Sequence, residues 1–106
     1  VNIRNVENSI IGECLDEEGF IVLLHSNATF DEEKYRSLIE KISTYADLLG
    51  DSRRMNRAVA SCLFELMTAI QTAASTFSQI DHPDTPRVAE AFNEVTGLLH
   101  LKVFRF

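Results

Sequence analysis

Five side chains are the candidates for metal or nucleophilic chemistry: Cys14, His25, Cys62, His82 and His100. A zinc site usually shows itself through paired ligands, spaced as C-x2-C, H-x3-H or H-E-x-x-H, because neighbouring turns must aim two donors at one ion. None of these spacings occurs, so no metal is expected. Nucleophilic catalysis needs a nucleophile, a base within hydrogen-bond reach, a third group that orients the base, and donors for the oxyanion. Cys14 and His25 flank one short connection and could meet across it, but nothing beside them supplies the other parts. No serine sits in a Gly-x-Ser-x-Gly elbow. Gly12, Gly19, Gly50 and Gly97 are isolated, so the phosphate cradles of nucleotide-binding loops are missing and no cofactor is expected. Two cysteines are too few for a disulfide framework and read as buried free thiols in a reducing, cytoplasmic compartment.

The carboxylates are more informative. Formal net charge is −6, which argues against a nucleic-acid surface. All of it lies in the first half of the chain. Residues 1–50 hold ten acids against four bases, whereas residues 51–106 hold six of each. Asp16, Glu17 and Glu18 are consecutive, and so are Asp31, Glu32 and Glu33. The second trio suits the positive end of a helix, at about 0.3–1 kcal/mol per charge. The first reads as an exposed hairpin tip, where three like charges give the fold nothing. If the two trios are neighbours in space, six carboxylates form one negative patch that steers basic macromolecules. Two further features break local rules. Glu90 and Glu94 are like charges four apart on one helical face, with nothing local to explain the pair. Arg53, Arg54 and Arg57 crowd a helix start, where the dipole disfavours cations. They read as an anion site or as partners for acids of the first half.

The elements that must position these residues follow from pattern. At 106 residues there is room for one domain and one core. No apolar run approaches the ~20 residues that span a bilayer. Val1 stands where an initiator Met would, which admits a processed or truncated start. Ser9–Leu15 and Phe20–His25 read as two strands of a hairpin, with Gly19 supplying a positive φ and Gly12 marking a bulge. Val1–Val6 reads as a third strand. A helix is predicted from Thr29 to Gly50, with Tyr35, Leu38, Ile39, Ile42, Tyr45, Ala46 and Leu49 as its apolar face. A second runs from an Asp51 or Ser52 cap to about Phe77 and is apolar over a wide arc, as a central helix should be. Its other face carries Ser61, Glu65, Thr68, Thr72 and Gln79. Thr85 and Pro86 open a third helix, which Gly97 ends or kinks. His100–Phe106 reads as a last strand returning to the hairpin. The expected architecture is a single α+β domain over residues 1–106. A small antiparallel sheet packs on three helices, in the order β-β-α-α-α-β.

On this basis the chain is expected to be a non-enzymatic protein-binding module. The specific expectation is a small bacterial immunity protein that neutralises a toxin such as a nuclease. Capture of a basic partner would fall to Asp16, Glu17, Glu18, Asp31, Glu32 and Glu33. Neither a nucleic-acid nor a membrane partner is expected. One alternative is a homodimeric structural or regulatory subunit, joined through the Ser/Thr face of the second helix or an open sheet edge. Another is an enzyme with a dispersed site, which requires a pocket shared by Cys14, His25 and a carboxylate.

Overall fold

A computed structural model describes residues 2–52 and 54–105. The described residues form five α-helices and contain no strand: α1 (Ile3–Leu15), α2 (Phe20–Asn27), α3 (Glu32–Leu49), α4 (Arg57–Gln79) and α5 (Thr85–Leu98), followed by a π turn over Leu99–Val103. The α+β architecture is therefore wrong: the expected hairpin strands Ser9–Leu15 and Phe20–His25 lie in α1 and α2, the expected third strand enters α1 from Ile3, and His100–Val103 of the returning strand lies in the π turn, with Val1 and Phe106 outside the described residues.

The N-terminal half shows why. Asn2 caps α1, its side-chain oxygen accepting from the Arg4 N–H at 2.8 Å. Val6, Ile10 and Cys14 are the buried residues of α1, and they recur every fourth position. Gly12 lies on the exposed side of this helix and makes no bulge. Four residues later the chain turns a helix–helix corner instead of a hairpin. Gly19 has an ordinary φ of −72°. Its need for glycine is steric, because a Cβ there would stand 2.3 Å from the Glu13 carbonyl oxygen. Phe20–Leu24, apolar throughout, is the start of a short helix whose Phe20, Ile21 and Leu24 are buried. Ala28 ends it in the left-handed conformation at φ 49°.

The three predicted helices exist, with shifted starts. Asp31 rather than Thr29 caps α3, accepting from the Lys34 N–H at 3.1 Å. Gly50 closes that helix at φ 54°. Asn56, not Asp51 or Ser52, caps α4, its Oδ1 accepting from the Ala58 and Val59 N–H groups at 2.8 and 3.2 Å. Asp84 precedes α5, in which Pro86 occupies the first turn. Gly97 neither ends nor interrupts α5, and the C-terminal run continues it as the π turn. Leu99 and Val103, four apart, are the buried residues of that turn.

The core gathers around α4, which packs on α1, α2 and α5. Val59, Cys62, Leu63, Leu66, Ile70, Ala73 and Phe77 form its buried stripe. By length and composition α4 is the one described helix that could cross a membrane. Its apolar stripe, however, is part of the protein core. Ser61, Glu65, Thr68, Thr72 and Gln79 are exposed on its other side. α3 packs on α1 and on the π turn, closing the domain from the opposite flank.

Candidate functional site

Three places concentrate polar chemistry: the α1–α2 corner, an arginine cluster between α3 and α5, and a pocket between α2 and α4.

The corner carries the first acidic trio. Its backbone is fixed from within, the Asp16 carboxylate accepting from the Glu18 N–H at 2.9 Å and the Gly19 N–H donating to the Asp16 carbonyl at 2.9 Å. The Lys34 ammonium, from the first turn of α3, donates to the Glu18 carbonyl oxygen. Phe20 also meets Phe30 edge-on, with ring centroids 5.2 Å apart. These contacts set the corner against the start of α3, so the two acidic trios do sit at neighbouring elements. The trio also precedes the N-terminus of α2, where negative charge is favourable. It therefore has a role in the fold that a hairpin tip would not have given it. Leu15, immediately before the trio, is 76% exposed and is the most exposed large apolar side chain described.

The six expected carboxylates do not behave as one set. Asp31 is engaged as the α3 cap. Glu32 is engaged by cations of its own chain: Arg87 Nε at 2.7 Å, Arg87 Nη2 at 2.8 Å and Arg36 Nε at 3.4 Å. Those contacts, the Arg87 hydrogen bonds foremost, hold the Glu32 carboxyl below its ordinary value. Glu17, Glu18 and Glu33 are exposed, and no side-chain ion pair engages them among the described residues. Among the described residues the six therefore do not act as one free patch: the carboxylates that neither cap, shape a turn nor pair are Glu17 and Glu18 at the corner and Glu33 in the first turn of α3.

Arg87 is the functional-looking residue that sequence reasoning missed. Besides gripping Glu32 with two nitrogens, its Nη1 donates to Glu90 at 3.0 Å and to Glu94 at 3.3 Å. Its guanidinium carbon lies 5.2 Å from the Phe30 ring centroid and 5.0 Å from that of Tyr35. The Tyr35 hydroxyl completes the cluster by donating to Glu94 at 2.7 Å. Burial, then this bond to Glu94, raises the Tyr35 pKa. The puzzling Glu90–Glu94 pair is thus explained inside the molecule. The signal was legible, since Arg87, Glu90 and Glu94 fall at i, i+3 and i+7 on one helix face. The cluster locks α3 to α5 and lines an open groove with Arg36, Ile39 and Glu40.

The arginines grouped at residues 53–57 are also redistributed. Arg54 lies in the connection before α4, Arg57 is the first residue of that helix, and Arg53 falls outside the described residues. Among the described residues no ion pair joins Arg54 or Arg57 to an acid of the first half. Asp51 instead pairs with Arg105 at 2.8 Å.

The third place joins residues far apart in sequence. Packing of α1 on α4 leaves the free thiols of Cys14 and Cys62 both buried and close enough to influence one another. Burial first, then the Cys62 thiol, then the Glu65 and Glu13 charges, push the Cys14 thiol well above its ordinary value. Cys14 also lines a pocket of about 250 Å³ with Ile21, Val22, His25, Glu65 and Thr68. The shared pocket that the enzyme alternative required is therefore present. The pairing it required is not, since no hydrogen bond joins His25 to Cys14 or Glu65, and the thiol's surroundings favour its protonated form. His82 stands elsewhere, stacked on Phe77 at 4.1 Å and accepting from the Asp84 N–H through Nδ1 at 3.0 Å. No group of three or more His, Cys, Asp or Glu side chains among the described residues could hold a metal ion.

No protein family, no curated protein and no solved structure matches this chain. The immunity-protein class expected from size and charge has no relative behind it, and the described residues form an all-helical domain in place of the expected α+β one. That assignment is withdrawn.

Proposed function

We propose that the chain is a non-enzymatic protein-binding module that engages a basic surface of its partner through the α1–α2 corner. The observation that carries this reading is the conjunction at that corner. An exposed leucine, Leu15, adjoins Glu17 and Glu18, which no ion pair among the described residues engages, on a backbone fixed by Asp16, Gly19 and Lys34. An apolar anchor ringed by charge is how small interfaces divide their labour. The charges steer encounter and raise the association rate, while the anchor, once dehydrated, slows dissociation. Full burial of a leucine side chain contributes roughly 1.5–3 kcal/mol. Steering by the exposed carboxylates weakens as salt shortens the Debye length, to about 8 Å at physiological ionic strength.

The test is an amide-resolved NMR titration with a short arginine-rich peptide carrying one central leucine or phenylalanine. Shifts concentrated on residues 15–18 and 33, weakening with salt and lost in the E17K/E18K/E33K variant, support the reading. Shifts centred on the Glu40 or Asp81–Asp84 regions, or a binding strength indifferent to that triple charge reversal, refute it. The Leu15→Ala variant separates the two parts of the mechanism, because it should speed dissociation while leaving the association rate within about threefold.

A further inference from the structure

The cations at the start of α4 have no counterpart inside the molecule. Arg57 is the first residue of that helix, where the dipole disfavours positive charge, and Arg54 stands just ahead of it. The fold brings further cations to the same end of the domain. The Phe104 ring stacks on that of Phe64 with centroids 5.4 Å apart, which sets the C-terminal run, Lys102 included, beside α4. Residues 54–64 and 95–105 hold Arg54, Arg57, Lys102 and Arg105 and no acid. Asp51 engages Arg105 at 2.8 Å. Arg54, Arg57 and Lys102 are exposed, and no ion pair among the described residues engages them. This end also holds an open hollow, lined by Leu49 at the end of α3, Met55 and Ala60 around the start of α4, and Val103 and Phe104 of the C-terminal run. Phe64, against which Phe104 rests, is itself 55% exposed.

An apolar hollow accompanied by unpaired cations is the chemical complement of an apolar anchor accompanied by unpaired carboxylates, and the α1–α2 corner is such an anchor. One chain cannot join the two. Lys34 holds the corner at the first turn of α3, whereas Leu49, on the hollow, is the last residue of that helix, roughly 20 Å away at about 1.5 Å per residue. We propose, building on the reading of the α1–α2 corner given above, that its basic partner is a second copy of this chain. Leu15 of one copy enters the hollow of the next beside Phe104, and Glu17 and Glu18 meet Arg54, Arg57 and Lys102. Both copies carry a net charge of −6, which opposes their approach. At physiological salt the screening length is about 8 Å, shorter than the distance between the two ends, so the opposed local charges prevail once the surfaces meet. The contact is head to tail. Each added copy leaves one corner and one hollow open, so assembly passes beyond a dimer unless a ring closes.

Sedimentation velocity of the 106-residue chain tests this, from about 20 μM to about 1 mM because a contact of one anchor and a few charges is small and weak. The expected result is a sedimentation coefficient that climbs with concentration past that of a dimer. The E17K/E18K and R57E/K102E variants should each associate at least about tenfold more weakly, and so should Leu15→Ala. An equal mixture of the two charge-reversed variants should associate again. Both keep a negative net charge, so recovery cannot come from bulk attraction. The E40K/D81K control, with the same charge change away from both surfaces, should behave as the unaltered chain. Four results overturn the inference: a chain monomeric to about 1 mM, association untouched by either double reversal, no recovery on mixing, or capture of anionic vesicles or nucleic acid through Arg57 and Lys102 while the copies stay apart. A monomer leaves the corner to a different basic partner, which the arginine-rich peptide titration decides separately. Association weakened by R57E/K102E but not by E17K/E18K refutes the corner as well. Circular dichroism confirms that each variant is helical, and sedimentation of the unaltered chain remains decisive if a variant fails to fold.

Discussion

Removing the Arg87 guanidinium tests the account of the α3–α5 junction most directly. The guanidinium is the shared partner of three carboxylates and two rings, and its side chain is 25% exposed. The Glu32 carboxylate that it grips with two nitrogens is 39% exposed, so that pair is discounted to about 1 kcal/mol. Contact with the Phe30 and Tyr35 faces adds about 0.5–1 kcal/mol. Glu90 and Glu94 would then face one another without a common counter-charge, at a cost of a few tenths of a kcal/mol. Arg87→Ala should therefore lose about 2 kcal/mol, which is roughly 10 °C in Tm for a domain of this size. Arg87→Lys keeps the charge without the fork and should fall between the two. Arg87 holds the Glu32 carboxyl below its ordinary 4.5. A group with a depressed folded-state pKa contributes stability above its unfolded value and loses it as pH falls through the folded one. The gap between the natural protein and Arg87→Ala should thus narrow on acidification below about pH 4.5. Urea denaturation followed by circular dichroism at pH 7 and at several acidic values measures both effects. An alanine variant within about 0.5 kcal/mol of the natural protein, with an unchanged acid limb, would refute the reasoning.

Two other perturbations probe the corner and the tyrosines. Gly19→Ala places a Cβ 2.3 Å from the Glu13 carbonyl oxygen, so backbone must move, and a loss of about 1–3 kcal/mol is expected by chemical denaturation. A neutral result would show that the corner is not tightly fixed. Both tyrosines should resist ionisation. Burial and the Glu7 carboxylate, which accepts from the Tyr45 hydroxyl at 2.9 Å, push Tyr45 up from 10 to about 12, and burial and Glu94 raise Tyr35 further. Because these folded-state values lie above the unfolded one, stability falls as pH climbs from about 10 through the folded values. Ultraviolet titration should show no phenolate appearing near pH 10 in the folded protein, and a phenolate there would contradict the buried hydroxyl contacts.

The long helices were readable because an amphipathic stripe sustained over four or more turns has only one period. Short segments lack that redundancy. Ser9–Leu15 read alone fits a strand, and only when Val6 joins Ile10 and Cys14 does the four-residue step emerge. Phe20–Leu24 has no period at all, and its helical state is set by burial beneath α3 and α4 and by the close approach of Gly19 to α1. His100–Phe106 misled through its β-branched and aromatic content, which is a preference for a half-buried surface more than for a backbone shape. The candidate site divides the same way. Glu90 and Glu94 advertised a missing cation that stood three residues upstream, within the same helix. The influence of Cys62 on Cys14 had no sequence signal, since it depends on how α1 lies across α4.

Counting charge by halves of the chain also overstated the surface potential. Arg87, from the neutral half, neutralises Glu32 of the acidic half, and Lys41 meets Glu13 at 3.2 Å. Carboxylates held this way are fasteners between helices, and reversing their charge would damage the fold before it tested any docking. A substitution at Glu32 that abolished binding would therefore say nothing about partner recognition. Glu17, Glu18 and Glu33 are the positions where loss of charge and loss of structure separate, because no described side chain depends on their carboxylates. Asp16 is intermediate, since its carboxylate shapes the turn through the Glu18 N–H. A graded response follows. Reversal at Glu17, Glu18 or Glu33 disturbs only a helix-dipole contribution of about 0.3–1 kcal/mol, should lower Tm by about 5 °C or less, and should slow partner association. Reversal at Glu32 should lower Tm whether or not a partner is present. If the two classes of variant melt alike, the division between fastening and docking carboxylates fails, and the corner loses its claim to be the recognition surface.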